Sequence, residues 1–279
     1  MRPTRERRRS RVSLGLDLFL LAAFMVLCGA ALWPTSGLSD LSQILAPSSA
    51  AHWLGTDNMG RDLLQRLGQA AYGAVLPLWG LVLVASAAGA GVGFAAVILG
   101  ANRWTRGVVT ALQAVSATLG GIPVGVAVFV VAAWLEGTGL VPIAAALCVL
   151  FALRNLQLVT ELYRLDARLG YWQAHQAMGG RLADRLWRYG FCGAWKWALG
   201  DTLVFHLKAA VAIEAALSYL QFGVQEPQAS FGNMLASHFE LGLHGEWRIL
   251  LLILAGLLVT AAAPSAVLAC VGRSLRSET

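Results

Sequence analysis

Five histidines, His52, His175, His206, His238 and His244, are the side chains best suited to hold a metal or move a proton. Only His238 and His244 are close in sequence, and residues six apart do not share a helix face. No metal site is assigned. Asp57 and Asp62 resemble a carboxylate pair, but in Asp57-Asn58-Met59-Gly60-Arg61-Asp62 they read as local structure. Asp57 is expected to cap a short helix, and Gly60, Arg61 and Asp62 to make local hydrogen bonds. Cys28, Cys148, Cys192 and Cys270 form no CxxC pair, and three of them sit in apolar stretches as small hydrophobes. No GxxxxGK[ST] phosphate loop exists, because Trp195 and Leu207 precede the two lysines where a glycine is required. HExxH and GxSxG are absent too. No catalytic residue is assigned, and the chain is not expected to hydrolyse ATP itself.

Two charges stand out by position. Lys208 and Glu214 fall in the apolar run 202–222, about 120° apart around a helix axis, so they should not pair directly. Lys208, nearer one end, either snorkels to an interface or faces water. Glu214, nearer the middle, either hydrogen-bonds a neighbouring helix or lines a polar path, since charges within spans often mark one.

The elements that position these residues are membrane helices. Apolar residues make up 57% and charged residues 13% of the chain, against about 25% charged in soluble domains, and mean hydropathy is +0.64. That excludes a disordered chain and disfavours a soluble enzyme. Six apolar runs are long enough to cross a bilayer: 14–33, 75–101, 108–135, 140–158, 202–222 and 249–272. The first lacks a small-residue cleavage site before Trp33-Pro34 and reads as a retained anchor. Of 21 Lys and Arg, Arg61, Arg66 and Arg248 fall in the segments assigned outside and Lys208 within a span. All others, Arg103 and Arg154 among them, fall in segments assigned inside. The positive-inside rule then puts both termini in the cytoplasm. The expected organisation is a basic tail (1–13), a first span (14–33), an extracytoplasmic segment (34–72), a core of five spans (73–272) with a cytoplasmic loop (159–199), and a short tail (273–279).

Within that loop, Asp166 to Arg188 is helix-compatible and interrupted by Gly179-Gly180, which predicts two short helices joined by a turn. Such an element would lie on the lipid surface or dock into a groove on a partner.

Two segments carry a resemblance. His52 to Asp62, HWLGTDNMGRD, resembles the H-x-LGTD-x-x-GRD segment of ABC-importer permeases in the dipeptide, oligopeptide and nickel group. Glu214 to Leu235, EAALSYLQFGVQEPQASFGNML, resembles that group's E-A-x-LSFLGLG-x-Q-x-P-x-PSWGNML segment. The matching positions are Leu54, Gly55, Thr56, Asp57, Gly60, Arg61 and Asp62 in the first, with Glu214, Gly223, Gln225, Gly232 and Asn233 in the second. Gln173 to Gly179 resembles the family's E-A-A-x-x-x-G coupling core, with Ala174 and Gly179 in place. Gln173 and His175 replace its glutamate and an alanine, and Cys192 stands at a later proline. Tyr219, Gln221 and Phe231 depart from the family's phenylalanine, leucine and tryptophan.

The resemblance implies an all-α integral membrane protein of the bacterial inner membrane, with six transmembrane helices, the type I ABC-importer fold and cytoplasmic coupling helices. It implies a permease subunit for di- or oligopeptides, with nickel or a metal chelate as the alternative. An intramembrane enzyme or a channel fits less well. The implied partners are a second homologous permease, two ATPase subunits carrying ATP and Mg, an extracytoplasmic solute-binding protein and the bilayer, with no nucleic acid. Gln173, Ala174, His175, Ala177, Gly179, Leu182, Leu186 and Trp187 would meet an ATPase. Lys208 and Glu214 would face the path or the sister permease.

Overall fold

Apolar runs in lipid satisfy their backbone polar groups by folding into helices. The computed structural model describes residues 3–32, 40–100, 104–134 and 139–277 and is built almost wholly of helices. In order they are α1 (Pro3–Ala30), α2 (Leu63–Gln69), α3 (Leu76–Gly100), α4 (Arg106–Gly120), α5 (Val124–Trp134), α6 (Leu140–Asp166), α7 (Gly170–Ala177), α8 (Leu182–Arg185), α9 (Trp195–Tyr219), α10 (Phe231–Leu243) and α11 (Trp247–Ser277). Short π-helical turns, Ala70–Val75 and Leu186–Ala194, join α2 to α3 and α8 to α9. Among the described residues, β pairing is confined to one isolated bridge, Thr56 to Asp62.

Among the described residues, five helical stretches are long and apolar enough to cross a membrane: Ser13–Ala30, Leu63–Gly100, Leu140–Asp166, Trp195–Tyr219 and Trp247–Ser274. The expected span 108–135 is not one rod. It is α4 and α5, bent by 93°, and it makes a sixth span only if the pair is counted as one. The break falls at Gly120-Gly121-Ile122-Pro123. Pro123 has no N–H and disfavours helical geometry in the residue before it. The expected ends also shift. The helix around 75–101 begins as early as Leu63, α6 runs on to Asp166, and α9 begins at Trp195. Arg154, expected near one end of a span, therefore lies in the middle of α6. Trp33, Pro34 and Arg103 lie outside the described residues.

The chain divides into two compact units. The first comprises Met1–Trp79, Leu135–Pro142 and Leu207–Thr279. Here α11 packs on α1 and α10, and α1 packs on α2. A side chain at Gly68 would strike the backbone of Leu27 and Ala31, so α2 and α1 touch at main-chain distance. Asp17, the lone charge of the first span, pairs with Arg273 of α11 at 2.7 Å.

The second unit comprises Gly80–Trp134 and Ile143–His206. Gly89 and Gly93 of α3 lie against the backbone of Ala152 and Leu156 of α6, the close approach that small residues permit. Below them Val97, Val159, Trp172, Leu186 and Trp195 form a buried cluster. Burying each aliphatic side chain there stabilises the unit by about 1.5–3 kcal/mol. Trp195 Nε1 donates to Asp166 at 2.7 Å, which fixes the end of α6 to the start of α9.

Candidate functional site

The first motif is a tight loop wound around Asp57. Its carboxylate is fully buried. One oxygen accepts from the backbone N–H of Met59 and of Arg61, each at 2.8 Å, and the other from Arg61 Nε at 2.7 Å. Thr56, also buried, donates to the Gln43 carbonyl and accepts from the Ala46 N–H at 2.8 Å. Gly55 and Gly60 have φ of +81° and +72°, where a side chain is strained. A Cβ at Gly60 would also strike the Asp40 carbonyl. The helix cap is Asp62, not Asp57 as the sequence suggested: Asp62 accepts from the Gln65 N–H at 2.9 Å and starts α2. The reason is the loop itself, which already engages both Asp57 oxygens. Asp62 also meets His52 Nδ1 at 2.8 Å. Leu54 leads into the loop from the exposed Trp53.

The second motif folds under the end of α9. Glu214 is fully buried, and its Oε1 accepts from Ser218 Oγ at 2.8 Å. This bond lies within α9, one turn on, and Ser230, which caps the neighbouring α10, also lies within hydrogen-bonding reach of the carboxylate. Oε2 accepts no hydrogen bond among the described residues. Ser218 Oγ in turn accepts from the Val224 N–H at 2.9 Å, and Gly223 leaves room for it. Ser230 and Asn233 form a reciprocal capping box that starts α10. Asn233 Nδ2 also donates to the Gln228 carbonyl at 2.7 Å. A Cβ on Gly232 would strike the Ala215 carbonyl, so α10 begins against the α9 backbone. Gln225 is exposed and donates to the Gln221 carbonyl at 2.9 Å. Gln221 has φ +67°. Aligned position by position, it stands at the first glycine of LSFLGLG and not at a leucine, and the left-handed backbone gives the physical reason. Lys208, half-buried, makes no pair with Glu214.

The two motifs meet through residues that sequence reasoning passed over. Glu226 accepts from Arg61 Nη1 at 2.8 Å and from Arg66 Nη2 at 2.6 Å. Arg66 is buried and lies 3.7 Å from Asp57. Two carboxylates thus face two guanidiniums. Burial opposes the Arg61 charge, but hydrogen bonds and attraction from Glu226 and Asp57 outweigh it and raise its pKa. His238 of α10, also buried, completes the junction. Its Nδ1 must donate to the Met234 carbonyl at 2.8 Å, which leaves Nε2 to accept from the Asn58 N–H at 3.5 Å. Burial depresses its pKa, with Arg66 and Arg61 adding to the effect, against the Met234 bond and Asp57. Glu226 occupies an unspecified position between Gln225 and Pro227. The available signal was charge: Arg61, Arg66 and Arg248 are the few cations of those segments, and Glu226 is an acid among them.

The third region is the loop segment. Gly179, at φ +79°, turns the chain between α7 and α8. Gly180 matters as well, since a Cβ there would strike the His175 ring. Gln173, Ala174, Ala177 and Gly179 are exposed, Leu182 is partly buried, and Met178 and Trp187 stand out at 78% and 61% exposure. Leu186 does not share this surface. It is buried in the cluster with Trp172 and Trp195, because an apolar side chain one turn into that helix points at the core. Arg185 is buried against the Trp172 ring at 5.2 Å and donates to Gln176 at 3.2 Å, which holds α8 to α7.

No protein-family model matches the chain. Curated proteins do. It is 29% identical over 255 residues to a peptide transport system permease protein of Brucella suis biovar 1, covering 88% of this chain and 82% of that protein. A peptide transport system permease protein of Brucella abortus biovar 1 is 29% identical over 85% of this chain and 79% of its own length. The dipeptide transport system permease protein of Bacillus subtilis strain 168 is 28% identical over 84% and 71%. With this breadth of match, five or six apolar spans and no strand among the described residues, the chain is an all-α integral membrane protein similar over most of its length to bacterial transport-system permeases.

Proposed function

We propose that the chain is the permease subunit of an ATP-driven importer of small peptides in the bacterial inner membrane, with both termini in the cytoplasm. The observation that carries this reading is the match over 88% of the chain to a protein named as a peptide transport permease. In this reading it pairs with a second permease, two ATPases and an extracytoplasmic solute-binding protein. The tip at Met178, Gly179 and Trp187, with Gln173, Ala174, His175, Ala177 and Leu182 behind it, docks on an ATPase. Its apolar side chains are exposed while its base is buried, so an imposed movement would pass to α6 and α9. ATP binding closes the ATPases, the tip follows, and the spans rock to face the other side. Lys208 faces the path or the sister permease. We read Glu214 as the anchor of the 218–233 loop, since its own chain encloses it.

Peptide is favoured over nickel. The named relatives are peptide permeases, and both ring nitrogens of His238 are engaged within the chain. Uptake of labelled dialanine tests the reading. A strain lacking this chain should lose it and regain it with the intact chain. Undiminished uptake without the chain would overturn the proposal.

A further inference from the structure

Arg154 stands 14 residues into α6, which has 27, about 21 Å along a helix about 40 Å long. A guanidinium at such depth is expensive unless it is paired or hydrated. Yet its one hydrogen bond among the described residues is from Nη2 to the Gly120 carbonyl at 3.3 Å, and no carboxylate lies within ion-pair distance. The group carries five N–H donors, so most of them remain uncommitted.

Arg154 lines an open cavity of about 520 Å3 formed by the end of α4, one face of α6 and the start of α9, with Gln157, Glu161, Asp201 and His206 also on its wall. A second cavity, of about 530 Å3, shares Gly120, Gln157 and Glu161 and continues between α4 and α6. Each falls within the range of about 300–1,000 Å3 typical of small-ligand sites. The break in the α4–α5 rod supplies this space: α4 stops at Gly120, and Gly120 lies against the Gln157 amide. Glu161 is already paired with Arg164 at 2.7 Å, which leaves the Arg154 charge to the cavity.

We infer that Arg154 binds a carboxylate of the transported solute in this cavity. On the peptide reading above, on which the inference rests, that group is the C-terminal carboxylate. A guanidinium accepts a carboxylate in a two-pronged fork, and Gln157 is placed to meet an adjoining amide. Asp201 lies on the same wall as a site for the opposite end of a zwitterion. The competing role for Arg154 is purely structural, as a cap on the last carbonyls of α4.

The test uses the assembled transporter, purified through a tag on this chain, with Cys28, Cys148, Cys192 and Cys270 replaced by alanine and Thr202→Cys, on the same cavity wall, as reporter. Alkylation by N-ethylmaleimide is timed with dialanine or dialanine amide present. Dialanine should slow the reaction and the amide should not. Arg154→Gln should weaken protection about tenfold, the size of a lost charged hydrogen bond, and Arg154→Lys should retain part of it. Protection equal for acid and amide, protection unaffected by Arg154→Gln, or none at all would overturn the inference. Dialanine uptake by the same preparation is scored separately. Uptake without protection sinks only the Arg154 assignment. Protection without uptake sinks the importer reading and leaves the site.

Discussion

Glu226 holds two guanidiniums with one carboxylate, and the cost of losing it falls mainly on Arg66. Arg61 keeps Asp57, but Arg66, with a side chain only 5% exposed, is left with an ion pair at 3.7 Å and a long hydrogen bond to the Pro227 carbonyl at 3.5 Å. Glu226 is itself 35% exposed, so water compensates in part, and Glu226→Ala should destabilise by about 1–3 kcal/mol. Thermal unfolding in detergent should show Glu226→Ala and Arg66→Ala coupled in a double-mutant cycle. Additive effects would mean the contact contributes nothing. His238 adds a pH dependence. Its folded pKa is depressed by burial, so as pH falls the unfolded chain takes up the proton first. Stability is therefore full above the ordinary histidine value of about 6.5 and declines below it towards the folded value. His238→Gln should flatten the loss of thermal stability below about pH 6.5. An unchanged slope would show that another group titrates.

At the scale of elements, α7 and α8 make a hairpin whose turn depends on two glycines for different reasons: Gly179 for its backbone angle, Gly180 for the His175 ring beside it. Gly179→Trp should insert normally yet fail to restore dialanine uptake, because the new side chain would strain the turn at φ +79° and stand on the proposed docking face. Full uptake by a correctly inserted variant would count against docking there. The hairpin was legible in Gly179-Gly180, and so was the composition of each span. The bend between α4 and α5 was not read, although Gly120, Gly121 and Pro123 announce it, because freedom from charge outweighed the breakers. Leu186 was misplaced for a similar reason: an apolar residue in a short amphipathic stretch has no label saying which side meets the core. Glu226 escaped notice because its partners lie 160 and 165 residues away, beyond any local pattern.

For the whole molecule, the arginine distribution predicts a sidedness that can be tested directly. Introduced cysteines at exposed Ala50 and Glu240 should react with an impermeant reagent added to intact cells, and one at Ala177 should react only after the membrane is opened. Labelling of Ala177→Cys from outside would invert the topology.

The junction at Glu226 also sets a schedule. Arg66 is made 160 residues before the carboxylate that neutralises it. At translation rates of about 5–20 residues per second, it waits on the order of ten seconds or more. During that interval the nascent loop offers it Asp57 but not Glu226. A product that terminates before residue 226 never acquires the missing partner. Such truncated chains should be recognised and degraded quickly even though their first spans have inserted, so the last fifth of the protein would act as the release from quality control for its beginning.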